Sequence, residues 1–78
     1  MSNKILSPLP GTFYRKSSPD AAPFKNVGDT VAVGDVIGLI EVMKSFNEVK
    51  ADAAGTIAAF LVDDEEPVMA GQTLIEIG

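Results

Sequence analysis

The chain carries two imperfect copies of one pattern. Ser7-Pro8-Leu9-Pro10-Gly11-Thr12-Phe13 lines up with Ala51-Asp52-Ala53-Ala54-Gly55-Thr56-Ile57 at an offset of 44. Val33-Gly34-Asp35-Val36-Ile37 lines up with Ala70-Gly71-Gln72-Thr73-Leu74 at an offset of 37. Two halves with the same order of turns predict two copies of one unit packed face to face, because neither half can bury its apolar face alone. The change of offset locates an insertion. Gly11 to Val27 is 16 residues, whereas Gly55 to Val62 is 7. The first half therefore carries nine residues that its twin lacks, and two are regained near Glu65-Glu66. The surplus falls in the Pro/Ser/Asp-rich segment Arg15–Phe24, which predicts a turn or loop projecting from the body of the fold.

The repeated unit is built of strands. Prolines at 8, 10, 19, 23 and 67 and seven glycines interrupt the chain often. Between them lie short runs with β-branched or aromatic residues: Ile5–Ser7, Gly11–Arg15, Thr30–Val33, Val36–Glu41, Phe46–Ala51, Gly55–Val62 and Thr73–Ile77. Seven or eight such strands with Gly and Asp turns predict an all-β barrel or sandwich. Two segments also admit a helical reading. Leu39, Val42, Met43, Phe46 and Val49 fall on one helical face, but no Ser, Thr, Asp or Asn opens that run, and Val36, Ile37, Ile40 and Val42 favour strand. Thr56–Val62 is the other, and its flanking Gly55 and β-branched content favour strand again.

Composition limits what such a barrel does. With 78 residues the chain makes one domain, spanning 1–78. It has no cysteine and no histidine. That excludes disulfides, thiolate and imidazole metal sites, and the Ser-His and Cys-His pairs of nucleophilic catalysis. A net charge of −5 with no tryptophan argues against nucleic-acid binding. No run approaches the roughly 18 apolar residues of a membrane span. The start, Met-Ser-Asn-Lys, lacks the apolar stretch of a signal peptide, so a cytoplasmic protein without enzymatic activity of its own is expected.

One residue stands out for chemistry. Between the halves, Val36–Glu41 and Phe46–Ala51 read as two strands with Val42-Met43-Lys44-Ser45 at the bend. The Asn-Gly or Asp-Gly usual in a tight hairpin is missing. A bend of Met and Lys is not explained by turn propensity. An exposed lysine on four flexible methylenes suits covalent attachment of a group that must reach elsewhere, and also suits an ordinary solvated surface. A buried catalytic lysine of depressed pKa does not belong at such a tip.

Glu41-Val42-Met43-Lys44 resembles the Glu-Ala-Met-Lys signature of biotinyl domains. The resemblance covers nearly the whole chain. Ser7–Tyr14 is similar to the Ser-Pro-Met-x-Gly-Thr-Phe-Tyr segment of the biotin carboxyl carrier family of bacterial acetyl-CoA carboxylase, and Ser18-Pro19-Asp20-Ala21 matches its Ser-Pro-Asp-Ala. Val27–Val31, Val33-Gly34-Asp35, Ala51-Asp52 and Gly55-Thr56-Ile57 follow the same pattern. The resemblance implies a flattened β-barrel of two four-stranded sheets with quasi-twofold symmetry, a thumb-like insert in the first half, and Lys44 on a hairpin as the residue carrying biotin. It implies that Met43, Glu41, Val42 and Ser45 flank the attachment site.

The implied partners are a biotin protein ligase, a biotin carboxylase using ATP, bicarbonate and Mg²⁺, and a carboxyltransferase acting in fatty acid biosynthesis. Ser45 departs from the family, which usually has Met after the lysine; small residues there are common in lipoyl domains, which place Asp before it. A lipoyl-type carrier and a barrel with an unmodified lysine are the alternative readings. Phe46 is expected to keep apolar cover near the tip, and Glu41 and Glu48 are candidates for partner recognition. Asp63-Asp64-Glu65-Glu66 reads as a soluble turn, with a Ca²⁺ or partner site as the alternative. The Ala/Pro-rich linker that precedes many carriers is missing, so an excised domain or a small free-standing subunit is expected.

Overall fold

The structure, a computed structural model, describes residues 3–78. All its regular elements are strands: β1 Asn3–Leu6, β2 Gly11–Tyr14, β3 Thr30–Val31, β4 Val36–Val42, β5 Ser45–Lys50, β6 Gly55–Phe60, β7 Glu66–Val68 and β8 Thr73–Ile77. Both segments with a helical alternative are strands. The Leu39–Ala54 run is split between β4 and β5, and β6 covers the other. β7 is a strand that the sequence reading missed. It is three residues long, contains Pro67, and lies at a sheet edge, where the missing proline N–H breaks no ladder.

The strands form two antiparallel sheets, ordered β1-β8-β6-β3 and β5-β4-β2-β7. Exchanging β1–β4 for β5–β8 converts one order into the other, which is the expected quasi-twofold. The turns obey it in detail. Gly34 N–H donates to Ala51 O at 2.8 Å, and Gly71 N–H donates to Ser7 O at 2.8 Å. Both glycines have left-handed backbones, φ 96° and 83°, where a Cβ is disfavoured. Asp35 Oδ2 accepts the Ala32 N–H at 2.9 Å, as Gln72 Oε1 accepts the Met69 N–H at 3.0 Å. Further back, Asp29 Oδ2 accepts Asn26 N–H at 2.8 Å, and Glu66 Oε1 accepts Asp63 N–H at 2.9 Å.

Asn26 thus matches Asp63, already at the offset of 37. The offset is 44 at Gly11 and Gly55, 45 after the irregularity in β6, and 37 from Asn26 and Asp63 onwards, with no recovery near Glu65-Glu66. The expected nine-residue surplus with two regained is therefore a net surplus of seven, all of it before Asp63.

The core lies between the sheets. The twin central strands β4 and β8 bury their residues in the same order, and each pairing carries an irregularity at the matching place, Val36/Gly38 against β5 and Ile5/Leu6 against β8. Phe13, Ile37, Ile40, Leu74 and Ile75 are fully enclosed. Each such side chain contributes about 1.5–3 kcal/mol by leaving water. Among the described residues no helix is long and apolar enough to cross a membrane.

The topology also sets the two ends of the barrel apart. Gly11, which opens β2, lies against Glu41 and Val42 at the end of β4. Four residues before it, Ser7 N–H donates to Gln72 O at 2.8 Å, just ahead of β8. The start of β8 is therefore at the hairpin end. Its far end, where Ile77 pairs with Asn3, is at the other.

Candidate functional site

The β4–β5 ladder closes on the pair Val42–Ser45, leaving Met43 and Lys44 to make the turn. Both have left-handed backbones, φ 50° and 69°. This is the geometry of the two-residue type I′ hairpin, whose twist matches the strands it joins. For a residue with a Cβ it costs roughly 1–2 kcal/mol. Glycine or asparagine would relieve that cost. A turn that keeps Met and Lys against it marks a site where the side chains matter.

The neighbours hold the turn and leave its tip open. Val42 packs against the core and anchors β4 beneath the tip. Gly11 lets that strand come close, since a Cβ there would overlap the Glu41 carbonyl and the Ile40 and Val42 side chains. Asn47 Nδ2 donates to Ile40 O at 3.3 Å. Met43 is 93 % exposed, and Lys44 and Ser45 are exposed beside it. Among the described residues none forms an ion pair with the Lys44 ammonium. The tip thus presents an accessible primary amine beside an apolar thioether, which suits acylation by a partner enzyme.

Phe46 does not cap the tip. It is 59 % exposed and turns its ring towards Tyr14 of β2, with centroids 5.8 Å apart and planes at 58°. These two rings form the back of a groove of about 310 Å³. Lys16–Pro19 of the insert make one wall, and Asp64 and Glu65 make the other. The insert is closed at its base, where Phe24 N–H donates to Arg15 O at 2.9 Å, and it folds back as far as Phe46, two residues beyond Lys44.

The acidic run serves as a turn. Asp64 Oδ1 accepts Arg15 N–H at 2.8 Å, and Glu66 closes the Asp63 loop. No group of three metal-ligating side chains occurs among the described residues. Glu41 is half-buried opposite Phe46. Glu48 is exposed and sits 3.9 Å from Lys50, a surface pair worth about 0–1 kcal/mol. Of the sequence candidates, Glu41, Val42, Met43, Lys44 and Ser45 come together at the tip. Asp64 lay in the acidic run read as a turn, with a Ca²⁺ or partner site as its alternative; Tyr14 and Arg15 were not singled out. Tyr14 had a signal, as the aromatic that closes β2 just before the insert; Arg15 had none.

A small barrel that raises a lysine on an exposed, strained turn has the arrangement suited to supporting a covalently carried group. The family profile described as "Biotin-requiring enzyme" matches residues 3–77, and the chain belongs to that family. It is 43% identical over 75 residues to the biotin carboxyl carrier protein of acetyl-CoA carboxylase of Pseudomonas aeruginosa, covering 96% of this chain and 48% of that protein. It is 44% identical over 73 residues to the protein of the same description from Haemophilus influenzae, covering 94% of this chain and 47% of that protein. The chain thus spans about half the length of these relatives. Among solved structures it is similar to the Kluyveromyces lactis urea carboxylase, with a TM-score of 0.80 and 27% identity, covering 100% of this chain and 6% of that one.

Proposed function

We propose that Lys44 carries biotin through an amide to its Nζ, and that residues 1–78 act as the carrier domain of a biotin-dependent acyl-CoA carboxylase in the cytoplasm. The observation that carries this reading is the exposed Met43-Lys44 turn, held in a strained geometry within a chain so similar to named biotin carboxyl carriers. Biotin supplies a ring nitrogen that accepts and releases a carboxyl group. The chain supplies the rest. Lys44 offers an exposed amine, without an ion-pair partner among the described residues, to a biotin protein ligase, and Met43 offers an apolar, flexible side chain that fits a recess on that ligase.

The barrel does no chemistry of its own. It holds the arm at a fixed point, so that each active site it visits meets biotin at a high effective concentration. A biotin carboxylase and a carboxyltransferase would dock the same end of the barrel in turn. Acylation of Lys44 removes a positive charge and breaks no ion pair with any of the described residues.

The test is direct. The chain is incubated with a biotin protein ligase, ATP and biotin, and its intact mass is measured, with a lipoate ligase and lipoate in parallel. One biotinyl group on Lys44 and no lipoyl group is the expected result. A lipoyl adduct alone, or biotin on another lysine, overturns the assignment.

A further inference from the structure

The groove beside the tip is held together by a residue that does not line it. Arg15 is the single arginine of the chain, placed between Tyr14 and Lys16 of the groove lining. Its backbone ties both walls. The N–H donates to Asp64 Oδ1 at 2.8 Å, on one wall, and the carbonyl accepts Phe24 N–H at 2.9 Å, closing the insert behind the other. Its side chain holds the returning limb, with Nη2 donating to Lys25 O at 3.2 Å and Asn26 Oδ1 at 3.3 Å. The guanidinium lies over the Phe60 ring, 4.0 Å from its centroid. Phe60 in turn packs against the core.

The quasi-twofold sharpens this. Tyr14 pairs with Leu39 as Ala59 pairs with Glu76, so the residues that follow, Arg15 and Phe60, hold equivalent places in the two halves. The half with the insert has the cation, and the half without it has the ring beneath. Arg15 Nε is buried without an acceptor among the described residues. That is a cost rather than a gain in stability. The stack on Phe60 and the fork to Lys25 and Asn26 set its position instead.

We propose that Arg15 is a positioning residue that locks the insert against the barrel, and that it thereby sets how partner enzymes handle the group carried on Lys44 without affecting its attachment. The functional half of this inference rests on the proposed biotinylation; the locking half does not. Lysine at 15 keeps a charge over the ring but loses the planar fork. Methionine keeps an apolar stem and loses both.

The test uses the whole chain as wild type, Arg15→Lys and Arg15→Met. Amide exchange at Ala21 and Phe24 reports the insert, and exchange in β4 and β5 reports the barrel. In Arg15→Met the insert amides should exchange about tenfold faster or more, with Arg15→Lys between it and wild type and the barrel amides within about twofold. Each biotinylated form is then a substrate for a biotin carboxylase with ATP and bicarbonate. KM for the carrier should rise about fivefold or more in Arg15→Met, with the rate of biotinylation unchanged. Unchanged insert amides, or barrel amides that loosen equally, overturn the lock. Loose insert amides with an unchanged KM overturn its functional consequence. If no form accepts biotin, the proposed function fails, and the exchange data still decide the lock.

Discussion

The turn at Gly34-Asp35 and its twin at Gly71-Gln72 close with the same hydrogen bonds to within 0.1 Å. The loops that precede them do not match at all. In the second half, Asp63 comes four residues after Ala59; in the first, Asn26 comes twelve residues after Tyr14, the equivalent of Ala59. One half is the minimal barrel unit, and the other is the same unit with a wall added beside Phe46. The contrast separates what folds the chain from what the chain presents. Shared features should govern stability and unshared ones should govern handling of the carried group.

The largest effect belongs to the tip. Lys44→Arg should abolish biotinylation, as read by intact mass, and leave the melting temperature unchanged, because an exposed side chain contributes little to folding. Label on Lys50 or Lys4 in that variant would move the site off the turn. Next comes the insert. Deleting Ser17–Pro23 brings the first half to the net length of the second. The barrel should stay folded, since shortening a loop costs little entropy. Carboxyl transfer from the biotinylated variant should fall about tenfold, the order expected when positioning alone is lost. An unchanged rate would make the added wall mere surface.

The twin glycines test the shared frame. No atom would crowd a Cβ at Gly34 or Gly71, so only the left-handed backbone opposes alanine there. Gly34→Ala and Gly71→Ala should each lose about 1 kcal/mol in urea unfolding, and by equal amounts. Unequal losses would break the equivalence.

The smallest effect is a pH difference within the same pair of turns. The Ala32 N–H, with Lys25 nearby, holds the Asp35 carboxyl below its ordinary range. Gln72 does the same work without a charge. A lowered folded pKa contributes stability above the ordinary carboxylate range and loses it as pH falls through the lowered value. Amide exchange at Ala32, followed down that range, should quicken relative to Met69, and Asp35→Asn should remove the difference.

Much of this was legible in the residues. The repeat predicted two packed copies, and Gly11/Gly55 and Gly34/Gly71 marked their correspondence. The insert was located by the change of offset, and the bend at Val42–Ser45 by the two strand-like runs on either side of it. What stayed hidden depended on tertiary contact. β7 is short, acidic and interrupted by Pro67, and only its edge position makes it a strand. The size of the surplus was misjudged because Val27 was matched with Val62, whereas the hydrogen bonds match Asn26 with Asp63. The groove needs Phe46 to meet Tyr14 across two strands. Nothing in a lone Arg before a Pro/Ser-rich stretch foretells a ring 45 residues away beneath it.

Under the quasi-twofold the Met43-Lys44 turn has a counterpart at the opposite pole. There Asn3 pairs with Ile77, as Asn47 pairs with Ile40, but the two strands are the first and last of the chain. Any polypeptide joined at either terminus therefore leaves from the pole away from Lys44. On the proposed reading, a tether joined at one pole and a biotinyl arm at the other would make two swivels with the barrel between them. The body is 35 Å in its longest dimension. Its rotation about the tether would sweep Lys44 between docking sites, and the arm would cover only the final approach.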